Sequence, residues 1–304
     1  MRNEGEKPGH SVSEKMEMQA AGKGENRQMT AEKIRETGSL EDGSKKAILV
    51  VSFGTSYKGQ RRDAIGAVER AVSRAFPGWE IRRAFTSQMI INHLREEEGE
   101  WIDNVEEALK RLLEDGYRVA AVQPTHVMNG LEYDKMIAAV SAYADQFDIL
   151  CCGKPLLNSS RDYERTAEAL AGVTGKFQGS RTAVVCMGHG TEHEANQVYG
   201  RMESCFKELG MTNFLIGTVE ARPSLEDVLA KVQSRDYERV ILLPLMIVAG
   251  DHANHDMAGE KDSWREVFEK NGYRVECILR GMGEYSDIQE IFVEHVRQAV
   301  EGWK

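Results

Sequence analysis

No stretch of this sequence is long and apolar enough to cross a membrane. The longest apolar runs, AILVV (Ala47 to Val51) and VILLPLMIVAG (Val240 to Gly250), fall far short of the ~20 residues that a spanning helix needs. The N-terminus lacks the basic-then-apolar pattern of a secretory signal, so no membrane association and a cytoplasmic location are expected. Clustered basic residues are missing too. Lys and Arg number 39 against 49 Asp and Glu, a net charge of −10, and neutralising the phosphates of a nucleic acid requires clustered cations. Nucleic acid is therefore excluded as a partner. Cysteine is scarce and scattered: Cys151, Cys152, Cys186, Cys205 and Cys277 are odd in number and show no CxxC spacing. That pattern excludes a disulfide framework and a cysteine-based structural zinc site, and leaves the thiols as small buried residues. Finally, residues 1–44 contain no Phe, Tyr or Trp and few aliphatics. Such a segment buries too little apolar surface to offset its ordering entropy, so it is expected to be a disordered polar extension, with transient helix at most around Thr30 to Glu36.

The remainder is that of a globular protein. Of the 304 residues, 41% are hydrophobic and 29% charged, enough for two domains of ordinary size. From Lys45 onward, short β-branched apolar runs alternate with amphipathic stretches. Strands are expected at 47–54, 80–87, 119–127, 147–153, 182–190, 214–220, 239–248 and 274–282, with helices between them such as 61–75, 104–115, 195–209 and 225–234. Near-continuous apolar strands are buried on both faces, and the alternation implies βαβ units around a parallel sheet. The fold class is α/β, doubly wound.

The two halves echo each other. VVSFGTSY (50–57) opens the first and VCMGHGTEH (185–193) the second, and aligning Thr55 with Thr191 sets Phe53 opposite His189. Further on, YRVAAVQPTHVMNGLEYDKM (117–136) matches YERVILLPLMIVAGDHANHDM (237–257), pairing Pro124 with Pro244 and Gly130 with Gly250. Two matches in the same order point to an internal duplication. Two similar parallel-sheet domains, 45–175 and 176–304, are expected to flank an interdomain cleft.

In open parallel sheets, ligands bind beyond the carboxyl ends of the strands. The second half sets His189, Glu220 and His252 at three such ends, 31 and 32 residues apart, which is one βα unit per step. Two imidazoles and a carboxylate suit a borderline first-row divalent metal. Each has a blander reading, as a solvated turn residue or a helix cap. For Glu220 the cap is better supplied by Ser224, with Asp227 three residues on. His193, His255 and Asp256 are rivals for the metal, and spacing does not choose between His252 and His255. His126 is expected to line the cleft or pack locally, and His93 and His295 to be structural or exposed.

The motifs VSFGTSY, MGHGT, GTVEARPS and PLMIVAGDHANHDMAGEKDSW, together spanning about 45–304, closely resemble the anaerobic cobalt chelatases of the class II chelatase superfamily. That superfamily also contains protoporphyrin ferrochelatase and the small sirohydrochlorin chelatases. The resemblance implies that His189 is the proton acceptor and a Co2+ ligand, and that Glu220 and His252 complete the metal site. It further implies a chelatase-like two-domain fold with the tetrapyrrole in the cleft, no organic cofactor, and a place in anaerobic cobalamin biosynthesis with sirohydrochlorin as substrate. A homo-oligomer stays open as an expectation.

The chemistry agrees. Metal insertion releases two pyrrole N–H protons, so a base and a metal-delivery point must share one face of the ring; neutral imidazole serves both needs. Sirohydrochlorin is rimmed by carboxylates, which the net charge of −10 repels. Lys58, Arg61 and Arg62 are the candidate counter-charges, and Phe53 and Tyr57 the candidate stacking residues. Alternatives are a ferrochelatase or nickel chelatase, a non-catalytic tetrapyrrole or metal carrier, and a bilobal sugar- or metal-binding protein, which the missing export signal disfavours.

Overall fold

The computed structural model describes residues 35–36, 44–177, 179–301 and 303. The polar extension thus lies outside the described residues except at its end, where a two-residue strand β1 (Arg35–Glu36) is extended rather than helical. The first sheet is built from β2 (Lys46–Ser52), β3 (Glu80–Phe85), β4 (Val119–Pro124) and β5 (Ile149–Cys152), in the order β1-β5-β4-β2-β3. Those four strands run parallel, and β1 adds antiparallel at the β5 edge through Arg35 to Leu150 and Glu36 to Ile149. The second sheet contains β6 (Thr182–Gly188), β7 (Phe214–Thr218), β8 (Arg239–Pro244) and β9 (Arg274–Cys277), all parallel, in the order β7-β6-β8-β9. In each half the strands thus follow the spatial order second, first, third, fourth.

Helices cover both faces: α1 over 58–75, α2 over 88–98, α3 (Val105–Glu114), α4 (Leu131–Tyr143) and α5 (Ser160–Thr174) in the first half, then α6 (Gln197–Glu208), α7 (Leu225–Gln233), α8 (Trp264–Lys270) and α9 (Ser286–Ala299). Their starts follow local chemistry. Asn104 with Glu107, Ser159 with Asp162 and Ser224 with Asp227 each form a reciprocal cap on α3, α5 and α7.

Within each central strand, alternate residues serve opposite layers, as a period of two requires. Ala47, Leu49 and Val51 of β2 pack with Leu109 and Leu112 of α3 and Met136 and Val140 of α4. Ile48 and Val50 face a core shared with the second sheet's Val184 and Ile241, joined through Tyr163 of α5, Tyr199 of α6 and Phe292 of α9. Although last in sequence, α9 packs against α1, α5, β4 and β5 of the first half. Four cysteines, Cys151, Cys152, Cys186 and Cys205, are buried among apolar neighbours, and none of the five cysteines forms a disulfide.

The duplication extends to individual hydrogen bonds. Ser87 N donates to Phe53 O at 3.1 Å, as Glu220 N donates to His189 O at 2.8 Å; Thr125 N to Val51 O at 2.8 Å has its counterpart in Leu245 N to Met187 O at 2.7 Å. Gly54 and Gly190, paired by the alignment, both adopt left-handed φ, +103° and +88°. No other residue adopts these values cheaply.

Candidate active site

His189 is the first residue after β6. The sharp turn at Gly190 holds it there, and a Cβ on Gly190 would stand 2.7 Å from Ala221 N, so the turns after β6 and β7 touch. The Glu220 N–H to His189 carbonyl bond ties the two ligand-bearing turns together at 2.8 Å. Tyr199 of α6 closes the arrangement from behind, its hydroxyl accepting from Gly190 N at 3.2 Å. His252 belongs to the loop that follows β8, at the entry to a wide helical turn, Ala253–Met257.

These three strand ends converge. One donor atom each from His189, Glu220 and His252 lies within 4.8 Å of the others. Metal–donor bonds of about 2.1 Å bring neighbouring donors to roughly 3.4 Å apart in tetrahedral geometry, so a small side-chain rotation closes the set around one ion. The imidazoles of His189 and His252 meet edge to face, centroids 4.7 Å apart and planes at 89°. His189 Nδ1 lies 2.9 Å from the Gly190 carbonyl, which can only accept, and 3.4 Å from Glu220 Oε2. The proton therefore belongs on Nδ1, and the Nε2 lone pair is free to bind a metal or take a proton. His252 Nδ1 lies 2.7 Å from Asp256 Oδ2, which fixes the same tautomer there. The His189 and Glu220 side chains are about half exposed, at 49% and 55%. An ion held here stays open to exchange, unlike one in a closed structural site.

The rival residues have other partners. His255 pairs with Asp251 at 2.8 Å, and His193 Nε2 faces Asp134 at 3.6 Å while its Nδ1 accepts from Ala195 N at 3.1 Å. His126 is enclosed, with neither ring nitrogen hydrogen-bonded, and burial pushes its imidazolium down to about 4. His93 is exposed on α2, and His295 is buried on α9.

Among the expected substrate contacts, Phe53 is 47% exposed at the first-sheet position matching His189. Tyr57 reaches across the cleft to Asp251, its hydroxyl donating to Oδ1 at 3.4 Å; burial and that carboxylate push the phenol's pKa up. Arg62 is exposed and paired with its neighbour Asp63 at 2.6 Å, and Lys58 is exposed. Arg61 differs from expectation. It is 3% exposed, donates to the Thr55 and Ser56 carbonyls at 3.2 and 2.7 Å, and is paired with Glu98 and Glu100. In the helical turn it points inward, and its guanidinium fastens the loop after β2 to the end of α2 rather than facing a ligand.

Two contacts carry no simple sequence signal. Gln60 spans the halves, accepting from Ala249 N at 2.8 Å and donating to Glu284 at 3.0 Å. Asp134 reaches His193 from the opposite half. Asp256, by contrast, stands four residues from His252, a spacing that brings side chains together on a helical turn. In sequence Asp256 stands only as a rival ligand; the four-residue spacing is the signal that could have marked it as a partner of His252.

Comparison with known proteins accords with this geometry. The sequence profile described as cobalt chelatase (CbiK) matches residues 46–301. The chain is 38% identical over 257 residues to a sirohydrochlorin cobaltochelatase of Salmonella typhimurium, covering 84% of this chain and 97% of that one. It is 34% identical over 260 residues to sirohydrochlorin cobaltochelatase CbiKC of Nitratidesulfovibrio vulgaris, covering 84% and 91%. Among solved structures, SirB from Bacillus subtilis with Fe3+ superposes with a TM-score of 0.61 at 15% identity, over 84% of this chain and 96% of that one. CbiX, the terminal enzyme for siroheme biosynthesis in denitrifying bacteria, superposes with a TM-score of 0.51 at 14% identity, over 83% and 98%. The fold is thus chelatase-like, and the chain belongs to the cobalt chelatase (CbiK) family.

Proposed function

We propose that the protein is a sirohydrochlorin cobaltochelatase, inserting Co2+ into sirohydrochlorin with release of two protons in anaerobic cobalamin synthesis. The observation that carries this reading is the convergence of His189, Glu220 and His252 at three strand ends, open to the cleft. In the mechanism, Co2+ is a substrate held by His189 Nε2, one Glu220 oxygen and His252 Nε2. A shell of three protein donors leaves positions for pyrrole nitrogens, so ligands exchange one at a time instead of the ion being stripped bare. As His189 gives up its bond, its Nε2 lone pair is free to accept a pyrrole proton, and neutral imidazole is matched to that task near pH 7. Two imidazoles and one carboxylate suffice for both protons. The charge in the site is conserved, because a dication leaves as two protons arrive. The Glu220 carboxylate, 3.4 Å from His189, attracts the incoming cation to the site.

The test is an absorbance assay of purified protein with sirohydrochlorin and Co2+, Fe2+ or Ni2+ in turn. Co2+ insertion is expected to be accelerated well above the protein-free rate. His189→Ala is expected to abolish the acceleration while still binding the tetrapyrrole. If no metal is inserted faster than without protein, the enzyme reading is wrong. Fastest insertion of Fe2+ or Ni2+ reassigns the metal. Loss of tetrapyrrole binding in step with activity in His189→Ala favours a carrier.

A further inference from the structure

His252 differs from its two companions in how it is held. His189 and Glu220 are fixed to each other from within the second half, by the backbone bond between their turns and by Tyr199 behind them. His252 follows a loop, 245–251, that lies between the halves. Val248 of this loop packs against the first half's Ile65, Phe85 and Ile91 cluster, and Asp251 accepts from Tyr57. The loop is also paired with the segment after β9: Met282 N donates to Met246 O at 2.8 Å and Gly283 N to Ile247 O at 3.0 Å. That segment rests in turn on α1, where a Cβ on Gly283 would stand 2.9 Å from Ala64 O.

Gln60 of α1 grips both parts of this unit with one amide. Its Oε1 accepts from Ala249 N at 2.8 Å, and its Nε2 donates to Glu284 Oε1 at 3.0 Å. The Glu284 carboxylate also accepts from Gly281 N and Arg280 Nε, each at 3.0 Å, so the far end of the grip is itself fixed. At the near end, Asn254 Nδ2 donates to the Ala249 and Gly250 carbonyls at 3.0 and 2.7 Å. The peptide units just before His252 are thereby bound from two sides, by a residue of the first half and by one that follows His252. Ala249 is 3% exposed, so water is a poor substitute for the Gln60 oxygen at its N–H.

From this clamp we infer that Gln60 is a positioning residue for the metal site: by fastening Ala249 it sets His252 against His189 and Glu220. The inference rests on the reading of those three side chains as Co2+ donors. Gln60 acts through His252 and touches no metal itself. A donor set works only when it is held within about 0.5 Å of its productive geometry, so slack in the loop is slack in the third donor. The metal site is then not a property of the second half alone. Two donors are held from within that half, and the third is set by where the first half docks.

The experiment titrates Co2+ without tetrapyrrole, through its visible ligand-field absorption. Gln60→Leu, which keeps the bulk and removes both hydrogen bonds, is expected to weaken Co2+ binding about tenfold. The spectrum of the bound ion is expected to move toward that of His252→Ala. In the His252→Ala background the same substitution is expected to change affinity by no more than about twofold, because the donor it positions is gone. Gln60→Glu is also expected to weaken binding, since it sets a carboxylate against Glu284. Combined with Glu284→Gln, it restores an amide–carboxylate pair in reverse and is expected to return affinity to within about twofold of wild type. Wild-type affinity in Gln60→Leu overturns the inference. So does a further loss of about tenfold in the His252→Ala background, which marks a general loosening of the fold. If Gln60→Leu does not melt cooperatively, the exchanged pair decides, and an exchange that recovers nothing overturns the inference. Wild-type affinity in His252→Ala overturns the donor assignment beneath it, whereas a loss in His252→Ala with none in Gln60→Leu overturns the inference alone.

Discussion

At the scale of single residues, Asp256 carries the sharpest expectation. Its carboxylate accepts from His252 Nδ1 at 2.7 Å and so keeps the proton on that nitrogen, which leaves the Nε2 lone pair free for a metal. Carboxylates that orient metal-binding histidines typically contribute about 10- to 100-fold in metal affinity. Asp256→Ala is therefore expected to weaken Co2+ binding by about that factor, read from the cobalt absorption spectrum, while sirohydrochlorin binding is unchanged. Asp256→Glu is expected to recover part of the loss, because the longer carboxylate can still accept from Nδ1. Wild-type Co2+ affinity in the alanine variant would remove Asp256 from the site. The same scale shows why residue types were more legible than their partners. His189, Glu220 and His252 stood out because imidazole and carboxylate recur at one βα-unit intervals beside strand ends. Arg61 and Arg62 are adjacent and chemically identical, yet the first is 3% exposed and the second has a 74% exposed side chain. Which of the two points inward depends on the phase of the helical turn at 61–65, wound wider than an α-helix, and sequence periodicity does not fix that phase.

At the scale of elements, the strands expected from sequence start within three residues of the observed ones but run on too far at their carboxyl ends. The run at 239–248, for instance, leaves the sheet at Pro244. The reason is functional. LMIVAG after β8 is as apolar as the strand, because Val248 packs against the first half's Ile65, Phe85 and Ile91 cluster. An interdomain contact therefore reads in sequence like more strand. The last helix provides a measurable case of docking by a polar pair. His295 of α9 has Nε2 at 3.2 Å from Asp162 and Nδ1 at 3.1 Å from the Lys154 carbonyl, in a buried setting. Burial alone would raise the Asp162 pKa, but hydrogen bonds from His295 and Ser159 outweigh it and hold the carboxyl below its ordinary value. A carboxyl lowered in the folded state stabilises fully above its unfolded pKa, about 3.9, and that contribution fades as pH falls toward the folded value. Asp162→Asn is therefore expected to lower the Tm at pH 7 and to converge on wild type as the pH drops below about 4, by calorimetry. A Tm gap that widens on acidification would contradict the pairing.

At the scale of the whole molecule, the duplication was legible, because paired motifs in the same order are visible without any coordinates. The sharing of one core between the copies was not. Sequence divides the chain near 175/176, but no periodicity reveals that a helix made from the final residues lies on the first sheet. The magnitudes decide whether that matters. Ile288, Ile291, Phe292, Val293 and Val296 of α9 are each no more than 1% exposed. At about 1.5–3 kcal/mol for each buried side chain, their removal from water contributes on the order of 10 kcal/mol, comparable to the total stability of an ordinary domain. A fragment of residues 44–175 loses this layer and exposes the apolar faces of β4 and β5 beneath it. It is therefore expected to fail to fold alone, giving broad, poorly dispersed amide resonances. Adding residues 179–301 as a second chain is expected to restore a cooperative unfolding transition, because the missing helix arrives with its own sheet. A sharp, cooperative melt from the 44–175 fragment by itself would mean that the halves are independent domains joined by the cleft, and that the shared core contributes little to holding the two edges of the site in register.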